Sequence, residues 1–146
     1  MTTSTRAPGI EREKPAGRAT LPRTSRLLKP ADFKRVFKNN RVSSDRCFRI
    51  LVLGNQAGRC RLGMAVSRKI DRKAVGRTRI KRVVRESFRR WCAGRDELEN
   101  GFVDVVVLPR HGTNTICNEQ LTHSLDRHWS RVETLVKEES GRSRAG

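Results

Sequence analysis

Residues 67–91 read SRKIDRKAVGRTRIKRVVRESFRRW, and eleven of the twenty-five are Lys or Arg. Within that run Ile80, Val83, Val84, Ser87, Phe88 and Trp91 recur at steps of three and four, the spacing of one narrow helical face. Lys81, Arg82, Arg85 and Arg89 fall on the opposite face. The pattern predicts a helix over 74–92, stopped by Gly94, that packs one side on a core and turns a row of cations outward. Such a row repels itself unless something anionic neutralises it, and a polyphosphate such as nucleic acid is the first candidate.

Working outward, the charge is uneven. The 146 residues carry a formal +18, but residues 29–95 hold twenty-one basic and four acidic groups, whereas residues 96–146 hold six and nine. A merely solvated charged face does not account for so local an excess. A membrane-surface protein would need an apolar helix face left open or a lipid anchor, and the apolar face here is required by the core. No apolar run approaches bilayer length and no hydrophobic segment follows the first Arg, so the expectation is a cytoplasmic protein. Cys47, Cys60, Cys92 and Cys117 are scattered without a Cys-x-x-Cys pair and are expected as reduced thiols. Cys117, His123 and His128 are spaced six and five apart, which does not suit one helical face, so no metal site is expected.

The patterned region spans about 23–137, one domain. Residues 1–22, rich in Thr, Arg, Gly and Pro, are expected to be a disordered basic tail, and 138–146 a flexible one. Pro30 and Asp32 open a short helix carrying Phe33, Val36 and Phe37 up to Lys38. Residues 47–53 and 61–67 are β-rich and separated by a turn-forming cluster at 54–58, which predicts a hairpin. FVDVVVL at 102–108 predicts a buried central strand, and Leu121, Leu125, Trp129, Val132 and Val136 predict a last helix over 118–137. The order implies an α+β sandwich, helices packed against one mostly antiparallel sheet. A helix-turn-helix DNA binder would want a short helix before the basic one, where a β-rich run stands instead. No paired carboxylates or nucleophile–base spacing stand out.

LPR at 21–23, KPADF at 29–33, VF at 36–37, RLGMAVSRK at 61–69 and AVGRTRIKR at 74–82 occur in one order. In this the chain resembles the protein subunit of bacterial ribonuclease P from about residue 21 to 136. The resemblance implies a two-layer α/β sandwich whose crossover through the basic helix is left-handed, against the general rule. It implies a ribonucleoprotein endonuclease that removes the 5′ leader of precursor tRNA. The catalytic site and its Mg²⁺ then belong mainly to ribonuclease P RNA, the protein alone holds no cofactor, and protein and RNA pair 1:1. A non-enzymatic, ribosomal-protein-like RNA binder is the alternative that shares the basic helix.

By the same resemblance, RNA-subunit contacts fall on Arg68, Lys69, Arg77, Thr78, Arg79, Lys81, Arg82 and Arg85. The family's Arg-Asn-Arg signature is met by Arg77, Thr78 and Arg79, so the middle position keeps a hydroxyl but loses the amide. The loop at 68–73 is one residue longer than usual and lacks its Gly. Leader contacts fall on Phe33, Lys34, Phe37, Phe48, Arg49 and Ser67, aromatics for stacking beside cations. Taken as residues alone, Phe33 and Phe37 at i, i+4 read as ordinary core.

Overall fold

The computed structural model describes residues 25–27, 29–55, 58–95 and 101–145. The expected N-terminal tail and the LPR motif lie outside them. Helix α1 (Pro30–Lys38) starts with Pro at its first turn, and the Asn40 amide closes its end by donating to the carbonyls of Val36 (2.9 Å) and Phe37 (3.0 Å). Strands β1 (Arg41–Ser44), β2 (Phe48–Asn55) and β3 (Arg61–Met64) precede α2 (Ala74–Ala93), then β4 (Phe102–Pro109), a 3-10 turn (Thr113–Thr115) and α3 (Asn118–Ala145). Gly94 ends α2 at a negative φ of −94°, donating its N–H to Arg90, so it acts there as a helix stop and not as a left-handed cap. Helix α3 runs on to Ala145, past the expected helix end at Lys137.

The sheet order is β1-β2-β4-β3, with β1/β2 and β2/β4 antiparallel and β3/β4 parallel. The mostly antiparallel α+β sheet is as expected, but the hairpin between residues 47–53 and 61–67 does not form. Strand β4 inserts between those two strands. Its residues Val103 to Val107 are buried on both faces, which only a central position provides, and the four-residue β3 is left toward the edge. Residues beside it shield that edge, with Arg26 bridged to Leu62 and the Leu27 N–H donated to the Leu62 carbonyl at 2.9 Å. The hairpin that does form joins β1 to β2, and Asp45 makes its turn by accepting the N–H groups of Cys47 and Phe48 at 2.8 and 2.9 Å.

Strand alternation divides the sheet into two faces. Ile50, Val52, Leu62, Val103, Val105 and Val107 meet Ile80, Val84 and Phe88 of α2 and Leu121, Leu125, Trp129 and Val132 of α3. Each such side chain, fully buried, contributes about 1.5–3 kcal/mol. Ser87 belongs in this apolar row because its hydroxyl accepts the Trp129 indole N–H at 2.7 Å, while Trp91 stacks on Trp129 with ring centroids 5.0 Å apart. Leu51, Val106 and Leu27 face the other way and receive Val36 of α1.

Asp104 shares that second face. It is fully buried, and its carboxylate accepts Arg61 Nε and Nη2 (both 2.8 Å), Arg35 Nη2 (2.8 Å) and the Asn55 amide (2.7 Å). Arg35 lies on α1, so this carboxylate ties the helix to the sheet. On the opposite face His128 is buried, Nδ1 2.7 Å from Ser43 Oγ and Nε2 3.2 Å from Asp45 Oδ1, while the Ser124 hydroxyl donates to Asp45 at 2.6 Å. Burial would raise the Asp45 pKa, but the Ser124 hydroxyl, the two backbone N–H groups and His128 outweigh it and hold it at about 2. Burial pulls His128 below its ordinary value, against the pull of Asp45.

Both groups lower stability on the acid side. His128 does so below its unfolded value near 6.5, and Asp45 as pH falls from its ordinary 3.8 through about 2. Asp45→Asn is expected to cost about 2 kcal/mol near neutral pH and to flatten the lower of these two steps, read from urea midpoints across pH. Asp104→Asn, which takes from Arg35 and Arg61 their shared buried carboxylate and leaves Arg61 only the more distant Asp32 at 3.5 Å, is expected to cost about 3 kcal/mol by the same measurement.

Candidate nucleic-acid interface

The basic helix α2 and the loop before it form the first surface. Asp71 is that loop's acid, and its Oδ1 accepts the Lys73 N–H at 2.9 Å. A Cβ on Gly76 would lie 1.8 Å from Asp71 Oδ2, so the carboxylate rests directly on the first turn of α2, where it meets the positive end of the helix dipole. That contact accounts for glycine in the AVGR motif. Arg77 Nη1 donates to the carbonyls of Asp71 (2.9 Å) and Arg72 (3.0 Å), fastening the loop to the helix. Arg79 Nη1 donates to Asn118 Oδ1 at 2.5 Å and Nη2 to the Asn114 carbonyl at 3.0 Å, fastening α2 to the start of α3. The two guanidiniums that read as phosphate forks thus also hold the backbone around them, which no local spacing announced.

The other expected contact residues differ in exposure. Arg68, Lys69, Thr78 and Arg82 are exposed, and Lys81 and Arg85 are half-buried. Thr78, Arg82, Arg85 and Arg89 follow one another at i, i+4, i+7 and i+11, a single stripe along the helix. Burial, and then the neighbouring charges of Arg26 and Arg82, press the Arg85 pKa downward. The stripe therefore stores like-charge repulsion that a bound anion relieves.

The second surface lies where α1 crosses the sheet. Phe37 is 49% exposed and Val42 of β1 is 41% exposed. Val42 pairs with Leu51 and Arg49 with Leu108, which places both on the face that α1 covers, and Lys34 and Arg49 are exposed. Phe33 is half-buried: a Cβ on Gly63 would lie 2.7 Å from its ring, so the ring rests against bare backbone. Gly63 gives that ring its seat, so Phe33 packs on the sheet while staying partly exposed.

Two expected members do not join them. Phe48 is 0% exposed and faces the opposite layer, edge-on to His128 with ring centroids 6.5 Å apart. The strand period sends Phe48 with Ile50 and Val52 into the core and Arg49 to the cleft, so one of two adjacent residues must lose the cleft. Ser67 lies past the end of β3, where it accepts the N–H groups of Lys69 (Oγ, 3.3 Å) and Ile70 (carbonyl, 3.0 Å), and so shapes the basic loop. Val42 and the Arg35–Asp104 anchor were missed by local reading. RVSS is too short for its alternation to register, and an Asp in a valine run shows no partner until the fold is known. Among the described residues no three His, Cys, Asp or Glu side chains group as metal ligands, and no helix is long and apolar enough to cross a membrane.

A sequence model described as Ribonuclease P matches residues 21–133. The ribonuclease P protein component of Thioalkalivibrio sulfidiphilus is 43% identical over 113 residues, covering 77% of this chain and 90% of that protein. That of Methylococcus capsulatus is 40% identical over 120 residues, covering 82% and 90%. Among solved structures, the ribonuclease P protein from Thermotoga maritima superposes with a TM-score of 0.62 at 30% identity, over 73% of this chain and 96% of that one. A Staphylococcus aureus ribonuclease P protein gives 0.58 at 29%, over 70% and 90%. With the ordered motifs, the α+β sheet and relatives matched over most of their length, the chain belongs to the bacterial ribonuclease P protein family.

Proposed function

We propose that this chain is the accessory subunit of a ribonucleoprotein in which the RNA cleaves the 5′ leader from precursor tRNA. The protein grips that RNA with the loop and stripe of α2 and guides the leader through the cleft beside α1. The observation that carries the reading is the pairing of exposed Phe37 and Val42 with Lys34 and Arg49 on one sheet face. An aromatic surface beside cations suits single-stranded RNA of any sequence, at about 1–3 kcal/mol per stacked base. The buried Asp104 is already engaged with Arg35, Arg61 and Asn55 in holding elements together.

Mg²⁺, held mainly by the RNA subunit, would supply the hydrolytic chemistry. The protein's part is to position leader and RNA backbone and to screen phosphate repulsion. One protein per RNA, working in the cytoplasm on precursor tRNA, completes the reading.

Adding the protein to a bacterial ribonuclease P RNA at low Mg²⁺ should stimulate leader cleavage; no stimulation would favour a purely structural RNA binder. In the assembled complex, Phe37→Ala should weaken leader-bearing precursor about tenfold and leave mature tRNA unchanged, while equal losses would remove Phe37 from the leader path. Replacing Arg77 and Arg79 together by Ala should weaken binding to the RNA subunit and lower the salt slope by about two. Weakened binding with an unchanged slope would assign both forks to holding the loop and turn alone.

A further inference from the structure

A cavity of about 620 Å³ lies between the loop 68–73 and the turn that follows β4, lined by Arg68, Arg72 and Lys73 on one side and His111, Asn114 and Thr115 on the other. Both walls are fixed. Arg77 clamps the carbonyls of Asp71 and Arg72, and Arg79 clamps Asn114 and Asn118. The turn itself is set by Gly112, whose φ of +93° admits glycine readily, and by the buried Thr113 hydroxyl, which donates to the Cys47 carbonyl at 3.0 Å.

The charge inside this frame is one-sided. Asp71, the acid of the lining, is turned onto the first turn of α2 and accepts the Lys73 N–H. Arg68, Lys69, Arg72 and Lys73 are exposed, and among the described residues their side chains make no ion pair or hydrogen bond. Four uncompensated cations and an imidazole around one rigid, open cavity form a receptor for an anion with several acceptor oxygens, and a phosphodiester has that chemistry.

We infer that this cavity is a phosphate-binding site for an RNA backbone, with Arg72 and Lys73 contacting phosphate from the loop and His111 from the turn. The inference rests on the proposed RNA-binding role and extends it to a segment far along the chain from the basic helix. It also gives Arg77 and Arg79 a positioning role, holding the two walls at a fixed separation. The phosphate can come from the catalytic RNA or from precursor tRNA, and the test separates these sources.

Arg72→Ala combined with His111→Ala removes two exposed side chains that bond to nothing within the described fold, so an unchanged melting temperature is expected. Binding to ribonuclease P RNA and binding of precursor tRNA to the assembled complex are measured across salt, beside an Arg82→Ala, Arg89→Ala variant of the α2 stripe. A loss of about tenfold with a salt slope shallower by about one to two is expected in at least one arm. Loss with the RNA alone assigns the phosphate to the catalytic RNA, and loss confined to the precursor assigns it to the tRNA. Unchanged affinity and slope in both arms overturn the site. If the stripe variant still loses affinity in that case, the RNA-binding role stands without the cavity; if it does not, both readings fall.

Discussion

Everything on the cleft side of the sheet depends on one buried carboxylate. Asp104 sits in the central strand, fully enclosed, and receives four hydrogen bonds from Arg35, Arg61 and Asn55. A lone carboxylate there would be costly; with both oxygens paired it becomes a clamp that joins α1, β2, β3 and β4. Helix α1 is only nine residues long and buries Val36 as its sole fully enclosed side chain, so apolar packing alone gives it little hold. The clamp fixes its position, and with it Phe37, Phe33 and Lys34 above the sheet.

The basic middle of the chain raises the opposite problem, that of keeping many like charges on one small domain. The fold answers by giving some arginines internal work. Arg35 and Arg61 neutralise Asp104; Arg95 is buried, donates to Glu133 and the Gly101 carbonyl, and lies 5.0 Å from the Trp91 ring centroid; Arg77 and Arg79 bind backbone and side-chain oxygens. The remainder, along the α2 stripe and the loop before it, stay exposed. Their mutual repulsion is a cost in the free protein that bound phosphate would offset, which would link stability to RNA affinity through the same side chains.

The helices and the central strand were legible because their signals are local. Ile80, Val83, Val84 and Phe88 mark a helical face over a few turns, Pro30 and Asp32 mark a start, and a valine run marks burial on both sides. The cleft was half legible. Phe37, Lys34 and Arg49 are exposed around α1, but Phe48 is core, because its side depended on which strand parity faces α1. Strand parity cannot be read until the neighbouring strands are known.

The sequence by itself determined the element types, the concentration of charge in the middle of the chain and, through motifs in a fixed order, the family. Only the tertiary structure decided that β4 enters between β2 and β3, that Asp104 anchors α1, and that Arg77 and Arg79 hold a loop and a turn around a cationic cavity. The difference is one of range. Periodicity and capping act over a few residues and leave a mark in the chain, whereas the Arg79 and Arg35–Asp104 contacts join residues 35 to 69 positions apart and come into being when the sheet closes.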